Sequence, residues 1–448
     1  MKVIAGLFAS ISIVLAGCGG GGGASTLGNS DTGSIKPLVC VSPQVFNDAG
    51  NGCRIPPFKT SYENKNSINF EETQVPEVRS MGIPKFDQYE QGSLERSITF
   101  GDFFQEGKYS AFVATSVARN LYGDPNLGDS PAVVYFLRKG VTGGWVDETS
   151  KLIENKDDRY SCVWPSYSLT ADFNNDGIPD VYMACTGADR WWDTYAENLA
   201  RCCSKQIVYL SQQNGKYKKI ELPDLLYGHK AAAGDINGDG CIDVVTANAA
   251  IFSDGLPVVY LGNCDGTFRS DKSLIPQNIK DTTGRLSGLY AVDLIPINGR
   301  LDLFIGSGRT QKQQGLVWLK GSKSSAFFDP ISIKLPDSKY RSVNAEYQFP
   351  LDVIYDGANL YLLANQTSGT LTEWAVLKAS LSDLSRVDVI YTHLRTSIPW
   401  TPATPDGEIG RGVAQMKTTG DGYLVAYSGA CRLPPSTNTG MCSMKLKR

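Results

Sequence analysis

Two short acidic stretches carry the residue types best suited to binding chemistry in this chain of 448 residues. The first is DFNNDGIPD, residues 172–180, and the second is DINGDGCID, residues 235–243. Each places side-chain oxygens at positions 1, 3, 5 and 9, a glycine at position 6 and a backbone carbonyl at position 7. A hard cation such as Ca²⁺ takes about six to eight oxygen ligands, and the glycine permits the sharp turn that gathers them. The pattern therefore predicts two calcium-binding loops.

These loops differ from EF-hand loops at position 12 and in the segments on their C-terminal side. Position 12 is Met183 in the first loop and Thr246 in the second, where an EF-hand has a bidentate acid. Both loops run into short β-rich segments, so we expect each loop to join two strands. Two polar turns without metal are the alternative, because Asp, Asn and Gly also populate ordinary turns. Two full matches 63 residues apart favour calcium.

Units resembling the surroundings of these loops recur along most of the chain. Their successive spacings are 70, 63, 58 and 59 residues, and they are marked by Asp102, Asp172, Asp235, Asp293 and Asp352, with a sixth near Met416. A period near sixty with up to four short strands per unit predicts an all-β fold, a single β-propeller of four-stranded blades. We predict six blades, with seven as the alternative. The last unit lacks a fourth strand, so we expect an N-terminal strand from residues 67–90 to close the ring.

The repeat resembles the FG-GAP/VCBS family of integrin-α-like propellers. The resemblance rests on the two acidic loops, the apolar strand after each, and the hairpin NCDGTF at residues 263–268, and it covers roughly residues 95–448. It implies Ca²⁺ in the loop between the first two strands of a blade, with two sites in this chain. The implied ligands are Asp172, Asn174, Asp176, Ile178 (carbonyl) and Asp180, and Asp235, Asn237, Asp239, Cys241 (carbonyl) and Asp243.

Two weaker copies of the loop depart from the family pattern. The copy at Asp102 has Phe104 and Glu106 where ligands should lie, and the copy at Asp293 is one residue longer, with Ile295 at position 3. We expect both to be turns without metal.

The N-terminus has the features of an export signal. Residues 1–17 contain one lysine and a short apolar run, which fits a signal peptide and is too short to span a bilayer. The ending LAGC resembles the bacterial lipobox, which implies that Cys18 is lipidated, and Gly19 after it suggests outer-membrane sorting. A plain signal peptide cut nearby is the alternative. Residues 18–36 form a Gly/Ser-rich tether, residues 37–94 an N-terminal segment with the ring-closing strand, and residues 95–448 the propeller.

Eleven cysteines minus the predicted anchor leave ten, an even number that indicates disulfides in an oxidising compartment. In the blade model Cys241 and Cys264 share the calcium face. A group of four lies on the opposite face with open connectivity: Cys162, Cys185, Cys202 and Cys203. The remaining candidates are close in sequence as two pairs, Cys40 with Cys53 and Cys431 with Cys442. A Zn²⁺ site at the group of four is a weaker alternative, since its spacing does not resemble paired CxxC motifs.

The composition limits the classes of partner. The formal net charge is −3 and no basic block is present, which argues against nucleic acid as a partner. No later segment is long and apolar enough to cross a bilayer, so the lipid anchor is the only predicted membrane contact. The partner is then an envelope or extracellular protein or glycan.

Catalytic motifs are not evident. The chain has two histidines, His229 and His393, and no GxSxG elbow. The clearest acidic groups are already assigned to calcium. We therefore predict that the chain is not an enzyme, although a polysaccharide lyase or hydrolase on the same scaffold is the alternative.

The face opposite the calcium loops is the predicted binding surface. Its longest insertion, residues 186–206, contains several aromatic and charged side chains of the kind found at recognition surfaces. The candidate ligand residues on this face are Trp164, Asp189, Arg190, Trp191, Trp192, Tyr195, His229 and Trp400. The alternative is that the rings only pack the insertion onto the propeller. The sequence thus predicts a calcium-stabilised envelope lipoprotein that acts as a binding module.

Replacing Cys18 by Ser should release the protein from the membrane fraction, because the thiol that would carry the lipid is removed. Fractionation and immunoblotting measure this. Retention of the variant in the membrane fraction would contradict lipidation at this residue.

Overall fold

The computed structural model is almost entirely β-structure. It describes residues 45–46, 53–54, 78–80, 93–107, 110–117, 131–141, 144–187, 203–248, 256–279, 289–307, 316–322, 326–336, 349–355, 357–368, 371–396, 414–418, 423–432 and 439–447. Within them, helix is limited to α1 (Thr149–Leu152) and the 3₁₀ turns Lys156–Arg159, Lys272–Leu274 and Gln277–Ile279. None of these helices is long and apolar enough to span a membrane.

Five four-stranded antiparallel sheets are each built from four consecutive strands. Sheet 1 contains β4 (Ser93–Gly101), β5 (Ser110–Val117), β6 (Val134–Lys139) and β7 (Trp145–Asp147). Sheet 2 contains β8 (Pro165–Ala171), β9 (Asp180–Cys185), β10 (Ser204–Ser211) and β11 (Tyr217–Leu226). Sheet 3 contains β12 (Gly228–Gly234), β13 (Asp243–Asn248), β14 (Val258–Gly262) and β15 (Phe268–Asp271). Sheet 4 contains β16 (Leu289–Ile297), β17 (Arg300–Ser307), β18 (Leu316–Lys320) and β19 (Phe328–Ile333). Sheet 5 contains β20 (Phe349–Tyr355), β21 (Asn359–Ser368), β22 (Leu371–Ser380) and β23 (Asp383–Thr396).

The remaining strands join distant parts of the chain. Sheet 6 contains β24 (Ala414–Thr418), β25 (Tyr423–Arg432) and β26 (Thr439–Lys447), and its fourth strand is β3 (Val78–Ser80) from the N-terminal segment. The pairing of β26 with β3 is antiparallel, with Ser443 opposite Arg79. A separate two-stranded sheet pairs β1 (Val45–Phe46) with β2 (Cys53–Arg54).

The hydrophobic core lies between the sheets. The first strands contact one another in chain order from β4 through β8, β12, β16 and β20 to β24, and β25 also contacts β4. Tyr167 and Tyr182 of sheet 2 pack against Ala231 and Tyr260 of sheet 3, and every side chain of β9, β13 and β14 is buried. Strands buried on both faces read as continuous apolar runs, which explains why DVVTAN and VVYLG show no polar alternation. The expectation of an all-β, propeller-like fold is confirmed.

Two glycines end the third strands of sheets 3 and 4 because a side chain does not fit there. A Cβ on Gly262 would overlap the carbonyl oxygen of Ile242, and a Cβ on Gly321 would overlap that of Leu301. The two sheets therefore use the same close backbone approach between their second and third strands.

Gly262→Ala should lower the free energy of unfolding by about 1–3 kcal/mol, because the added methyl group must displace backbone. Thermal and urea unfolding measure the change. Gly144→Ala is the matched control, since a Cβ on Gly144 meets no atom within 4 Å. Equal melting temperatures for the two variants would contradict the close approach.

Candidate functional site

The first acidic loop, residues 172–180, connects β8 to β9 and is closed by hydrogen bonds from its own backbone. The Asp172 carboxylate accepts the N–H groups of Asp176 (3.1 Å) and Gly177 (2.9 Å). The Asp176 carboxylate accepts the N–H of Ile178 (2.8 Å) and the side-chain amide of Asn174 (3.0 Å). Positive φ at Asn175 and Gly177 turns the chain so that these groups meet.

The second acidic loop, residues 235–243, connects β12 to β13 in nearly the same way. The Asp235 carboxylate accepts the N–H groups of Gly238 (2.7 Å) and Gly240 (3.0 Å), and the Asp239 carboxylate accepts that of Cys241 (2.8 Å). Positive φ falls at Gly238 and Gly240, the same fourth and sixth positions of the loop. The two loops are therefore structural copies, as the shared motif predicts.

The aspartate at position 9 has a structural partner in each blade. Asp180 accepts the N–H of Phe173 (2.7 Å) with one oxygen and that of Ser211 (2.7 Å) with the other. Asp243 accepts the N–H groups of Ile236 (2.8 Å) and Gly262 (2.9 Å) in the same manner. Each carboxylate thus ties the acidic loop to the end of the third strand.

Burial changes the acidity of these carboxyl groups. It raises the pKa of Asp180 to about 8 and that of Asp243 to about 6, although backbone N–H donors act in the opposite direction. Burial also raises the pKa of Asp172, with a smaller contribution from the neighbouring charge of Asp176. A nearby cation would offset this penalty by favouring the charged forms.

The donor set of both loops fits a hard cation, with three carboxylates and one amide oxygen in nine residues. The same oxygens bind the loop's own amides in this arrangement, and no group of three or more His, Cys, Asp or Glu side chains in the described ranges is gathered around one point. Each loop thus has the donor types of a cation site, with its carboxylate oxygens bonded to its own backbone amides.

The weaker copy at Asp102 has the same backbone conformation and forms an ion pair with an arginine. Asp102 accepts the N–H groups of Glu106 (2.8 Å) and Gly107 (2.6 Å), and positive φ falls at the fourth and sixth positions, as in the two acidic loops. The Glu106 carboxylate pairs with both the Nε (2.9 Å) and an Nη (2.5 Å) of Arg138 on β6. Ser110 at position 9 accepts the N–H of Phe103 (3.1 Å). Arg138 thus supplies a positive charge next to Glu106 of this loop.

The interpretation of Asp293 as the start of a loop is wrong. Asp293 lies inside β16 opposite Phe304, and the actual turn of this hairpin is at Asn298 and Gly299, both with positive φ. Asn-Gly is a favoured two-residue turn, so β16 continues four residues past Asp293 before the chain reverses. Asp352 likewise lies inside β20, opposite Leu363.

Sequence reasoning also missed Asp302, the residue of sheet 4 that corresponds to Asp180 and Asp243. Its carboxylate accepts the N–H of Gly321 (2.9 Å) and the indole N–H of Trp318 (2.8 Å). The signal was an aspartate at the start of the apolar run LDLFIG, as in IDVVTA.

A buried charged cluster joins three first strands, and the sequence patterns did not reveal it. The Lys230 ammonium on β12 donates to Asp293 on β16 (2.8 Å) and to Asp352 on β20. The three residues are 2%, 1% and 5% exposed, respectively. We refer to Lys230, Asp293 and Asp352 as the lysine cluster. The available signal was a single lysine in the otherwise small and apolar strand KAAAG.

A β-bulge directs Lys230 into this cluster. Pairing between β12 and β13 shifts between Gly228 and Ala231, so His229 and Lys230 stand opposite one residue of β13. A bulge releases a residue from the ladder and re-aims its side chain. The first strands of sheets 1, 2, 4 and 5 also shift register near their beginnings.

On the face opposite the acidic loops, the described candidate ligand residues are Trp164 and His229. Trp164 precedes β8 and has a positive φ of 58°. His229 is half-buried on β12, with its ring 5.1 Å from that of Tyr227. The other candidates lie outside the described residues: Asp189, Arg190, Trp191, Trp192, Tyr195 and Trp400.

Two predicted cysteine groupings have observed bonds. Cys241 pairs with Cys264 across the acidic-loop face of sheet 3, and Cys162 pairs with Cys185 on the opposite face of sheet 2. Cys203 is also disulfide-bonded, so the three described cysteines of the group of four carry disulfides, which argues against the zinc alternative at these residues. The pairing of the remaining candidates falls outside what the structure describes: Cys40, Cys53, Cys202, Cys431 and Cys442. Disulfides of this kind are typical of exported proteins.

Comparison with solved structures gives weak overall likenesses to enzymes. An α-L-arabinofuranosidase from Fusarium graminearum is 11% identical, with 82% of this chain and 96% of that chain covered and a TM-score of 0.43. A β-xylosidase is 11% identical, with coverages of 83% and 95% and a TM-score of 0.36. An exotype rhamnogalacturonan lyase is 11% identical, with coverages of 83% and 75% and a TM-score of 0.38.

These neighbours contradict the predictions that the chain is a binding module and not an enzyme, since the named structures are glycoside hydrolases and a polysaccharide lyase. Those predictions depended on the lack of a catalytic motif in sequence, which says little about residues that converge only in the fold. At these identities no catalytic residue can be carried over to this chain.

No curated protein matches the chain. The model of the FG-GAP-like repeat matches residues 172–246, which include both acidic loops, the strands β9 to β12 and most of β13. This match confirms the resemblance drawn from the two motifs. Residues 172–246 are an FG-GAP-like repeat segment.

Proposed function

We propose that this chain is an exported enzyme that acts on a polysaccharide, by hydrolysis or by elimination, at the face opposite the acidic loops. The observation that carries the proposal is the backbone of Trp164. A bulky residue in the left-handed region costs roughly 1–2 kcal/mol, and glycine would occupy it more easily. Such strain persists where the surroundings impose it, and it clusters at active sites and ligand clamps.

The surroundings of Trp164 impose this conformation through several bonds. The Trp164 carbonyl accepts both the N–H and the hydroxyl of Thr186, each at 3.0 Å. The adjacent Val163 carbonyl accepts the N–H of Gly187 (3.0 Å), and the disulfide from Cys162 to Cys185 fixes the same two segments. The loop before β8 is thereby held against the end of β9.

This clamp lies at the start of the first strand, at the same end of the sheets as His229 and the insertion after Cys185. An indole combines a large apolar surface with a polar edge, a property suited to the mixed polar and apolar surface of a sugar. Trp164 is 9% exposed, so we assign it the role of positioning the edge of the site rather than that of a stacking platform.

The architecture that we propose for this enzyme is a six-bladed ring. The contact of β25 with β4 and the pairing of β3 with β26 support closure between the two ends of the propeller. A ring leaves few sheet edges open, which protects against edge-to-edge association. Export followed by lipidation at Cys18 would hold the enzyme at the cell envelope, where it would act on polysaccharide.

Two Ca²⁺ ions form part of the same proposal. Asp172, Asn174 and Asp176 would hold one, and Asp235, Asn237 and Asp239 the other, with Asp180 and Asp243 completing the charge of each loop. The ion supplies positive charge that relieves repulsion among the carboxylates. Asp180 and Asp243 also bind the backbone of the third strands, so this relief would stabilise two sheets.

The enzymatic proposal predicts product formation from at least one polysaccharide. The purified chain with calcium should be incubated with neutral and acidic polysaccharides, and new reducing ends and the ultraviolet absorbance of unsaturated sugars should be measured. Hydrolysis gives reducing ends alone, whereas elimination gives both signals. If neither signal arises from any neutral or acidic polysaccharide, the proposal is wrong.

Trp164→Ala should lower kcat/KM by about tenfold or more, equivalent to about 1.4 kcal/mol in transition-state stabilisation. Val141→Ala is the matched control, because Val141 is fully exposed in the hairpin that joins β6 and β7. An unchanged kcat/KM in the Trp164 variant would show that Trp164 does not contribute to the active site.

The calcium proposal predicts that chelation lowers the melting temperature. A ligand that binds the folded state alone stabilises it by about 2.7 kcal/mol at one hundred times its dissociation constant. Asp176→Ala combined with Asp239→Ala should reproduce the shift and remove further sensitivity to chelator. Glu106→Ala, in the loop paired with Arg138, is the control and should keep the full response. If neither chelator nor added calcium changes the melting temperature, the calcium assignment is wrong.

A further inference from the structure

The lysine cluster brings an amine and two carboxyl groups together where water is excluded. The Lys230 Nζ lies 2.8 Å from Asp293 Oδ2 and also contacts Asp352 Oδ1, and all three residues are at most 5% exposed. The Tyr167 ring lies 5.5 Å from the same Nζ. Removing an ammonium and two carboxylates from water is costly, and a buried ion pair of this kind often adds no net stability. A gain in stability from the ion pair alone therefore gives little reason for the cluster.

Three features of the cluster favour amide formation between side chains. The amine contacts the carboxyl group that it would attack, which replaces a bimolecular encounter with a fixed geometry. Burial disfavours the charged form of the amine, although the two carboxylates act in the opposite direction. A second carboxylate is in reach of the amine and can carry protons.

We propose that Lys230 and Asp352 form a covalent amide bond, with Asp293 as the proton-transfer group. Asp293 takes a proton from the Lys230 ammonium and passes it to Asp352, and the neutral Nζ then attacks Cγ of the resulting carboxylic acid. The Nζ–Cγ bond forms and the bond from Cγ to the hydroxyl oxygen breaks. Asp293 carries a second proton from the nitrogen to the departing hydroxyl group, which leaves as water. The step needs no oxidant or other reactant, and Asp293 ends as it began, as a carboxylate.

The roles of the two aspartates are assigned from their contacts. Asp293 Oδ2 accepts the Lys230 ammonium and also the N–H of Val353 at 2.9 Å, which holds this oxygen beside the nitrogen. Asp352 Oδ1 also accepts the ammonium, so its Cγ lies next to the nitrogen, and we assign Asp352 as the group attacked. Burial is the largest influence on the amine and acts to lower its pKa, but the two carboxylates raise the pKa of Lys230 overall. Proton transfer to Asp293 must therefore precede the attack.

The bond would link first strands that are far apart in sequence. Lys230 belongs to sheet 3 and Asp352 to sheet 5, and Asp293 lies on the sheet between them. A covalent link of this kind closes a loop of chain that stays closed in the unfolded state, as a disulfide does. Unlike a disulfide, it resists reduction.

The test is peptide mapping of the purified full-length chain. After reduction and alkylation of the cysteines, protease digestion and tandem mass spectrometry should reveal one peptide pair joined through Lys230 and Asp352. The pair should be lighter than the sum of its two parts by one water, about 18 Da. Cleavage by trypsin after Lys230 should be absent, because the amine is acylated.

Lys230→Arg is the matched control, since arginine keeps the charge and the hydrogen bonds but does not become a neutral nucleophile. It should give unlinked peptides. Asp293→Ala should give unlinked peptides with Lys230 intact. The wild-type result is decisive even if a variant fails to fold: unlinked Lys230 and Asp352 peptides, or trypsin cleavage after Lys230, would overturn the proposal. A link to Asp293 would overturn the assigned roles.

Discussion

Neighbouring sheets bury each other's faces, and the remaining features of the molecule depend on this packing. A four-stranded sheet such as sheet 3 has apolar side chains on both faces, with Ala231 and Val244 toward sheet 2, and Ala232 and Val245 toward sheet 4. Neither face can be left in water without a large loss of hydrophobic stabilisation. The sheets must therefore stand side by side, with their first strands adjacent.

Close packing of the first strands buries polar side chains, and several of them form hydrogen bonds with one another between sheets. Ser97 meets Ser168 and Thr99 meets Thr170 between sheets 1 and 2, at 2.7 and 2.8 Å. Between sheets 3, 4 and 5 the corresponding space holds the lysine cluster. A buried polar group without a partner would cost more than the interaction returns, so these contacts also fix which strands can be neighbours.

The loops at one end of the sheets place acidic side chains next to backbone amides in three different ways. Each loop must bring acidic side chains close to the backbone that they cap. The loops at residues 172–180 and 235–243 concentrate three carboxylates each, and the loop at Asp102 has fewer and includes Arg138 from its own sheet. In sheet 4 the loop has shortened to an Asn-Gly turn, and Asp302 alone keeps the tie to the third strand. A side chain at the start of the second strand that accepts a backbone N–H is thus common to the four sheets, as Ser110, Asp180, Asp243 or Asp302, whereas the acidic residues within the loop vary.

The sequence by itself determined the repeat, the strand class, the two acidic loops and the pairing of Cys241 with Cys264, because these depend on local spacing and on period. Residues within one loop or hairpin are close in sequence, so the turn sets their positions. Only the tertiary structure decided the place of Asp293 and Asp352 and their meeting with Lys230. They lie 63 and 122 residues from it, and a bulge of one residue sets the direction of the lysine. The strain at Trp164 was equally hidden, because it depends on Thr186 and on which cysteines pair. Contacts between sheets depend on how the sheets pack. The residues that meet in this way are not marked by a regular spacing in the sequence.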